Sequence, residues 1–198
     1  IDGFDHYSAA QSGRMYENGS IWSMNTSFPR TGSQCANPTY LSYGVQKYLG
    51  VNAPTLILGF AYYNNNNEFP NWHRIAGFLD GTTEQCNLDA GPEGRMRFYA
   101  NGAVLDTTAP MAYGLKQWYY VEVKITFGNP GSYELRVNTR TLLSGTGRTT
   151  SNPNNYGSWV LLQGPSGDFF DDLYICDTTG TMNNDFLGGI KVVSILPN

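Results

Sequence analysis

The sequence predicts an all-β protein: an antiparallel β-sandwich with little helix. Three observations carry that reading. Apolar and polar side chains alternate with a period of two along several stretches, the mark of a half-buried strand. Clusters of Gly, Pro, Asn and Asp separate those stretches, and these residues make turns. Aromatic residues reach 14% while charged residues are only 14%, against about 25% charged in an average domain. Aromatic and β-branched side chains suit a pleated surface. No stretch shows convincing helical periodicity, and no strand–helix alternation appears, which favours sheet packed on sheet.

In chain order, Leu56, Leu58, Phe60 and Tyr62 form the first clear apolar row. The run Pro54 to Ala61 is the most apolar of the chain and reads as a buried strand. Ile75, Gly77 and Leu79 form a second row, ended by a turn at Asp80-Gly81. Thr83 to Leu88 and Arg95 to Tyr99 continue the meander, and Asn101-Gly102 is a hairpin signal. The clearest alternation runs from Trp118 to Phe127, with Tyr119, Val121, Val123, Ile125 and Phe127 on one face. Gly128-Asn129-Pro130-Gly131 turns the chain into Tyr133, Leu135 and Val137. Asn138-Thr139 is a second tight turn, from which Thr141-Leu142-Leu143 returns antiparallel. Ser158 to Leu162, Phe169 to Cys176 and Ile190 to Leu196 complete the C-terminal half. Short helical turns fit Ala109 to Leu115 and Thr181 to Phe186. The total is roughly ten to thirteen short strands, as expected of a sandwich.

The 198 residues suit one domain over 1–198, a length at which roughly 70% of the unfolded surface is buried. The Asn64 to Asn67 run reads as a protruding loop, and Thr146 to Asn155 as a second polar loop. Net charge is −4 and the basic residues form no block. A nucleic-acid partner is therefore not expected, since phosphate binding needs clustered Lys and Arg. Arg95 and Arg97 are the densest basic pair and read as a solvated strand face. No window reaches the ~18 apolar residues of a membrane span, so no membrane partner is expected. The chain starts at Ile1, as a segment or a processed product would. Cys35, Cys86 and Cys176 lack metal-ligand spacing. Buried free thiols are the main reading, with a Cys35–Cys86 disulfide left open.

Chemistry is sparse. Glycosidases need two carboxylates flanking the scissile bond, yet Glu122 is followed two residues on by Lys124, Glu134 by Arg136, and Glu84 stands alone. The two histidines, His6 and His73, have no nucleophile arranged about them in sequence. These absences predict no enzyme chemistry. The aromatic and amide-rich segment Tyr62 to Trp72 is the most suggestive stretch, because Tyr and Trp offer rigid amphipathic area. It makes Tyr62, Tyr63, Trp72 and His73 the candidate ligand or interface residues. Asp168, Asp171 and Asp172 cluster. Asp171 or Asp172 with loop carbonyls is the weak calcium candidate, since Ca²⁺ takes six to eight oxygens; no other cofactor is expected.

The opening Asp2-Gly3-Phe4-Asp5-His6-Tyr7 and the closing Phe170-Asp171-Asp172-Leu173-Tyr174-Ile175-Cys176-Asp177 resemble structural proteins of tailed phages. Asn183-Asn184-Asp185-Phe186-Leu187-Gly188 and the central Trp118-Tyr119-Tyr120-Val121-Glu122-Val123-Lys124 are similar to the same group. Those proteins are read as concanavalin A-like, or laminin-G-like, jelly rolls. The resemblance implies that fold, with the two termini on adjacent strands. It implies a non-enzymatic structural protein located in the virion: a capsid decoration, tail or fibre-associated component. Its implied partners are other virion proteins, further copies of itself in a symmetric homo-oligomer, and a host-surface glycan. The alternative is a carbohydrate-binding module or lectin, and fold alone does not choose between them.

Overall fold

The computed structural model describes residues 1–6, 8, 11, 13–17, 22–38, 44–68 and 71–192. Among these residues thirteen strands run in order: β1 (Trp22–Asn25), β2 (Cys35–Pro38), β3 (Gly44–Ala53), β4 (Thr55–Asn64), β5 (His73–Asp80), β6 (Thr83–Gly91), β7 (Arg95–Ala100), β8 (Ala103–Thr107), β9 (Trp118–Thr126), β10 (Gly131–Val137), β11 (Arg140–Gly147), β12 (Gly157–Gln163) and β13 (Asp168–Asp177). The named pairings are all antiparallel. They build two sheets. A seven-stranded back sheet has the order β1-β2-β13-β4-β9-β10-β11, and a six-stranded front sheet has the order β3-β12-β5-β6-β7-β8. Together they form the predicted β-sandwich. Cys35 and Cys86 are free buried thiols on opposite sheets, so the disulfide alternative is closed.

The alternation that predicts the strands also decides which residues fill the space between sheets. From the back sheet come Leu56, Leu58, Phe60 and Tyr62 of β4, and Val121, Val123 and Ile125 of β9. From the front sheet come Phe78, Cys86, Leu88, Ala90, Met96 and Phe98. Full burial of each large apolar side chain contributes about 1.5–3 kcal/mol, so this layer dominates cohesion.

β4 is buried on both faces. Its outward Ile57 and Ala61 join Tyr120 and Tyr174 in a second apolar cluster, against which Phe186, Leu187 and Ile190 pack. The segment after β13 therefore lies over the outer face of the back sheet. Gly59 is required here: a Cβ at this position would overlap the Tyr174 ring. Glu122 is 1% exposed and accepts from the Tyr174 hydroxyl at 2.5 Å and from the Gly188 amide at 2.8 Å. It holds the covering segment in place.

Asp2 near the chain's opening pairs with Leu173 of β13 through an isolated bridge. Three sequence expectations need correction. Ala109 to Leu115 and Thr181 to Phe186 form turns and bends rather than helical turns. Ile190 to Val192 is irregular, because its backbone bonds Arg30, Thr31 and Asp172 side chains instead of a strand; the rest of that predicted strand lies outside the described residues.

Candidate functional site

The structure separates the residues that the Tyr62 to His73 segment seemed to gather. Tyr62 points inward from β4 and Tyr63 outward, as the strand period demands. Tyr63 packs among Phe28, Trp118 and Phe169 on the back sheet, with ring centroids 5.3–5.9 Å away. Tyr62 and His73 meet Asp168 between the sheets. The Tyr62 hydroxyl donates to Asp168 Oδ2 at 2.9 Å, and His73 Nε2 lies 3.0 Å from the same oxygen. His73 Nδ1 lies 3.0 Å from the Asn71 carbonyl oxygen. A carbonyl only accepts, so Nδ1 carries a proton, while Nε2 and Asp168 share a second proton between them. Burial lowers the His73 pKa, but Asp168 overcomes it and raises that pKa above its ordinary value; burial likewise raises the Asp168 pKa, with His73 and Tyr62 pulling it back. This node is closed to ligands: Tyr62 and Asp168 have no exposed surface.

The calcium candidates are also committed. Asp171 Oδ2 accepts from the Arg30 and Thr31 amides at 2.9 and 3.2 Å, and Oδ1 accepts from the Asp172 amide at 2.8 Å. Asp172 Oδ1 accepts from the Thr31 hydroxyl at 2.6 Å and the Val192 amide at 2.7 Å, and Oδ2 takes the Arg30 guanidinium. Burial, then the neighbouring Asp172 charge, pushes the Asp171 pKa up to about 7. Every carboxylate oxygen of the pair faces a proton donor, which is the reverse of a cation cage. No cluster of metal-ligating side chains occurs among the described residues.

The outer face of the front sheet carries the remaining chemistry. Register sets its side chains in three rows. Tyr48, Trp159, Leu79 and Glu84 form one; Gln46, Leu161, Gly77, Asn87, Tyr99 and Val104 the next; Arg74, Asp89, Arg97 and Thr107 the third. A bulge makes the arrangement possible. The β5–β6 register skips Gln85, so Glu84 lands on the same face as Asn87 and Asp89. The bulged Gln85 is itself buried; its amide donates to Asn152 at 2.6 Å and accepts from the Ser151 amide at 2.8 Å. This pins the Thr149 to Tyr156 loop beside the face.

Arg74 crosses Gly77, where a Cβ would come 3.4 Å from its Cδ, and grips Glu84 with two contacts of 2.9 and 2.6 Å. Burial raises the Glu84 pKa; Arg74 pulls it back and Asp89 adds to the rise. Arg97 donates to Asp89 at 2.9 Å, and Asn87 donates to the other Asp89 oxygen. The Arg97 guanidinium also lies 4.3 Å over the Trp72 ring and 5.7 Å over Tyr99. Trp72 rests on Gly91, where a Cβ would overlap its indole. At the far side Tyr48 and Trp159 pack with centroids 5.0 Å apart. Of the four loop candidates, Trp72 alone reaches this face. Sequence reasoning missed Tyr48, Arg74, Glu84, Asn87, Asp89, Arg97, Tyr99 and Trp159 as a group. Alternation in β6 and β7 places their faces, but the bulge and the pairing unite them.

No protein-family model and no curated protein sequence matches the chain. Solved structures match its fold. The alginate lyase Aly36B, solved as a mutant with alginate tetrasaccharide, aligns with TM-score 0.59 at 12% identity, covering 88% of this chain and 94% of that one. Endo-β-1,4-glucuronan lyase from the fungus Trichoderma reesei aligns with TM-score 0.58 at 14% identity, covering 78% and 85%. The catalytic domain of the glycoside hydrolase family 131 protein from Coprinopsis cinerea gives 0.54 at 13%, covering 89% and 93%. At such identities the likeness shows the fold alone, a concanavalin A-like jelly roll. It corrects two expectations. The non-enzymatic virion reading is overturned, because the matching structures are polysaccharide lyases and hydrolases. The opening and closing motifs that suggested it pair with each other through the Asp2–Leu173 bridge, a contact that belongs to the fold. The expectation of no enzyme chemistry falls with that reading, because several of the structures that share the fold are polysaccharide lyases or hydrolases.

Proposed function

We propose that the protein is a carbohydrate-active domain that seats a polysaccharide chain on the front sheet. One observation carries the reading: the middle of the back sheet's outer face is covered by the segment after β13, while the front sheet presents aromatic rings on both sides of a polar strip. Trp159 and Tyr48 stand at one side and Trp72 and Tyr99 at the other. Rings offer flat apolar surface to sugar C–H groups, and amides and guanidinium groups between them suit hydroxyls. The polysaccharide-directed proteins that share the fold support the same class of ligand.

Affinity electrophoresis against a panel of soluble polysaccharides tests it. Retardation by at least one, abolished in Trp159→Ala and Trp72→Ala without loss of folding, is the expected result. A panel without retardation removes the reading. Cleavage of the bound chain is a second reading, favoured by Glu84: a partly exposed carboxyl whose raised pKa suits proton transfer. New chain ends that appear with wild type and vanish in Glu84→Gln are its signature.

A further inference from the structure

We infer that the glycan seated on the front face is neutral and hydroxyl-rich, and not a polyuronate; the inference rests on the binding reading above. The face carries three guanidinium groups, and each is neutralised on the spot. Arg74 is held by Glu84 at 2.6 Å, Arg97 by Asp89 at 2.9 Å and Arg95 by Glu93 at 2.8 Å. Arg97 is further capped by the Trp72 and Tyr99 rings. A uronate carboxylate needs a cation with free valence when it leaves water, since an unpaired buried charge is costly. Here it would have to expel Glu84 or Asp89 from its own arginine. A hydroxyl makes no such demand, because it brings no charge to be paired: it can donate to the partly exposed Glu84 carboxylate while that group keeps its arginine.

Geometry gives the length of chain. Trp159 lies on β12 and Tyr99 on β7, with β5 and β6 between them. Three strand spacings make about 14 Å, the reach of a trisaccharide laid across the strands. The outer sugars stack on Trp159 and on the Trp72–Tyr99 side. The middle sugar lies over the partly exposed Arg74–Glu84 pair, whose Arg74 side chain crosses Gly77.

Matched oligosaccharides test the class. Isothermal titration would compare neutral oligosaccharides with counterparts of the same linkage oxidised at C6, across several linkages. The expected result is binding of at least one neutral ligand, with its uronate counterpart about tenfold weaker or worse. Glu84→Gln, which frees the Arg74 charge, should then gain affinity for the uronate at low salt. Asp89→Asn is the second variant if the first fails to fold. A uronate that binds wild type as tightly as its neutral partner overturns this inference while leaving the binding reading intact. No binding by any ligand overturns the binding reading itself.

Discussion

Replacing Asp168 by Asn probes the buried node that ties the two sheets. The side chains of His73 and Asp168 are 6% and 0% exposed, so solvent does little to screen their interaction. The substitution keeps the shape and one acceptor for Tyr62, but it removes the carboxyl group that raises the His73 pKa. Removing one partner of a buried ion pair costs about 3–5 kcal/mol. The retained acceptor puts the expected loss near the lower end, about 3 kcal/mol, or about 6–12 °C in melting temperature for a chain of this length. The variant should also change how stability responds to pH. The His73 pKa is raised in the folded protein, so its stabilising contribution is fully present below the unfolded value of about 6.5. That contribution is lost as pH rises through the folded value. The groups facing the ring are Asp168 from β13, Tyr62 from β4 and, more weakly, Asp89 from β6. Tyr113 hydrogen-bonds the Gly91 carbonyl nearby, and burial, with Asp168 adding to it, holds its hydroxyl protonated. Thermal melts from pH 5 to pH 9 would compare the two proteins, with wild type losing stability above about pH 6.5 and Asp168→Asn losing less. Equal slopes in the two proteins would refute the coupling of His73 to Asp168, and an unchanged melting temperature would refute their buried pairing.

Three further outcomes follow from the same geometry. Gly91→Ala should push Trp72 off the front face at a stability cost of about 1–3 kcal/mol; it should weaken polysaccharide retardation as Trp72→Ala does, and intact retardation would show that Trp72 is not a platform. Glu122→Gln should destabilise by about 1.5–3 kcal/mol by weakening the charged hydrogen bonds to Tyr174 and Gly188, read by urea unfolding, while retardation stays unchanged. Arg30→Met leaves Asp172 buried without its cation and should cost about 3–5 kcal/mol. Limited proteolysis should then cut within residues 183–192, and resistance equal to wild type would show that Arg30 does not clamp that segment.

Much of the fold is legible in the chain because β9 and β10 are long, strictly alternating and joined by a strong turn. The structure places them at Trp118–Thr126 and Gly131–Val137, close to the sequence-read runs. The strands not read are short or irregular. β1 and β2 have four residues each, and β2 ends in Pro38. In β3 the alternation breaks near Gly50, which takes a positive φ of 73°, and the pairing with β12 shifts register. The run from Ile190 alternates like a strand, but Arg30 and Asp172 offer its backbone side-chain partners, and those satisfy polar groups without a ladder.

The site was less legible, for a reason that Tyr62 and Tyr63 make plain. Sequence neighbours in a strand point to opposite faces, so a cluster in sequence dissolves on folding. Glu84, Asp89 and Arg97 show the converse. They come together through a bulge at Gln85 and through strand pairing, and neither leaves a signal in a single sequence. His73 and Arg74, adjacent in β5, end one in the core and one on the front face.

The carboxylates show how the covering of a sheet decides what a residue can do. Glu122, Asp171 and Asp172 drew attention in sequence, one by its alternating strand and two by their clustering. All three lie where the chain folds over itself, and their oxygens hold Gly188, Arg30, Thr31 and Val192. Those bonds fasten the segment that covers the back sheet. With the middle of that sheet's outer face covered, the proposed ligand takes the front sheet, where Glu84 is tied to Arg74 but partly exposed and Asp89 is buried against Arg97. The same chemical group is thus structural on one sheet and available on the other. The difference lies in the segment after β13, whose Phe186, Leu187 and Ile190 pack on the outer face of the back sheet.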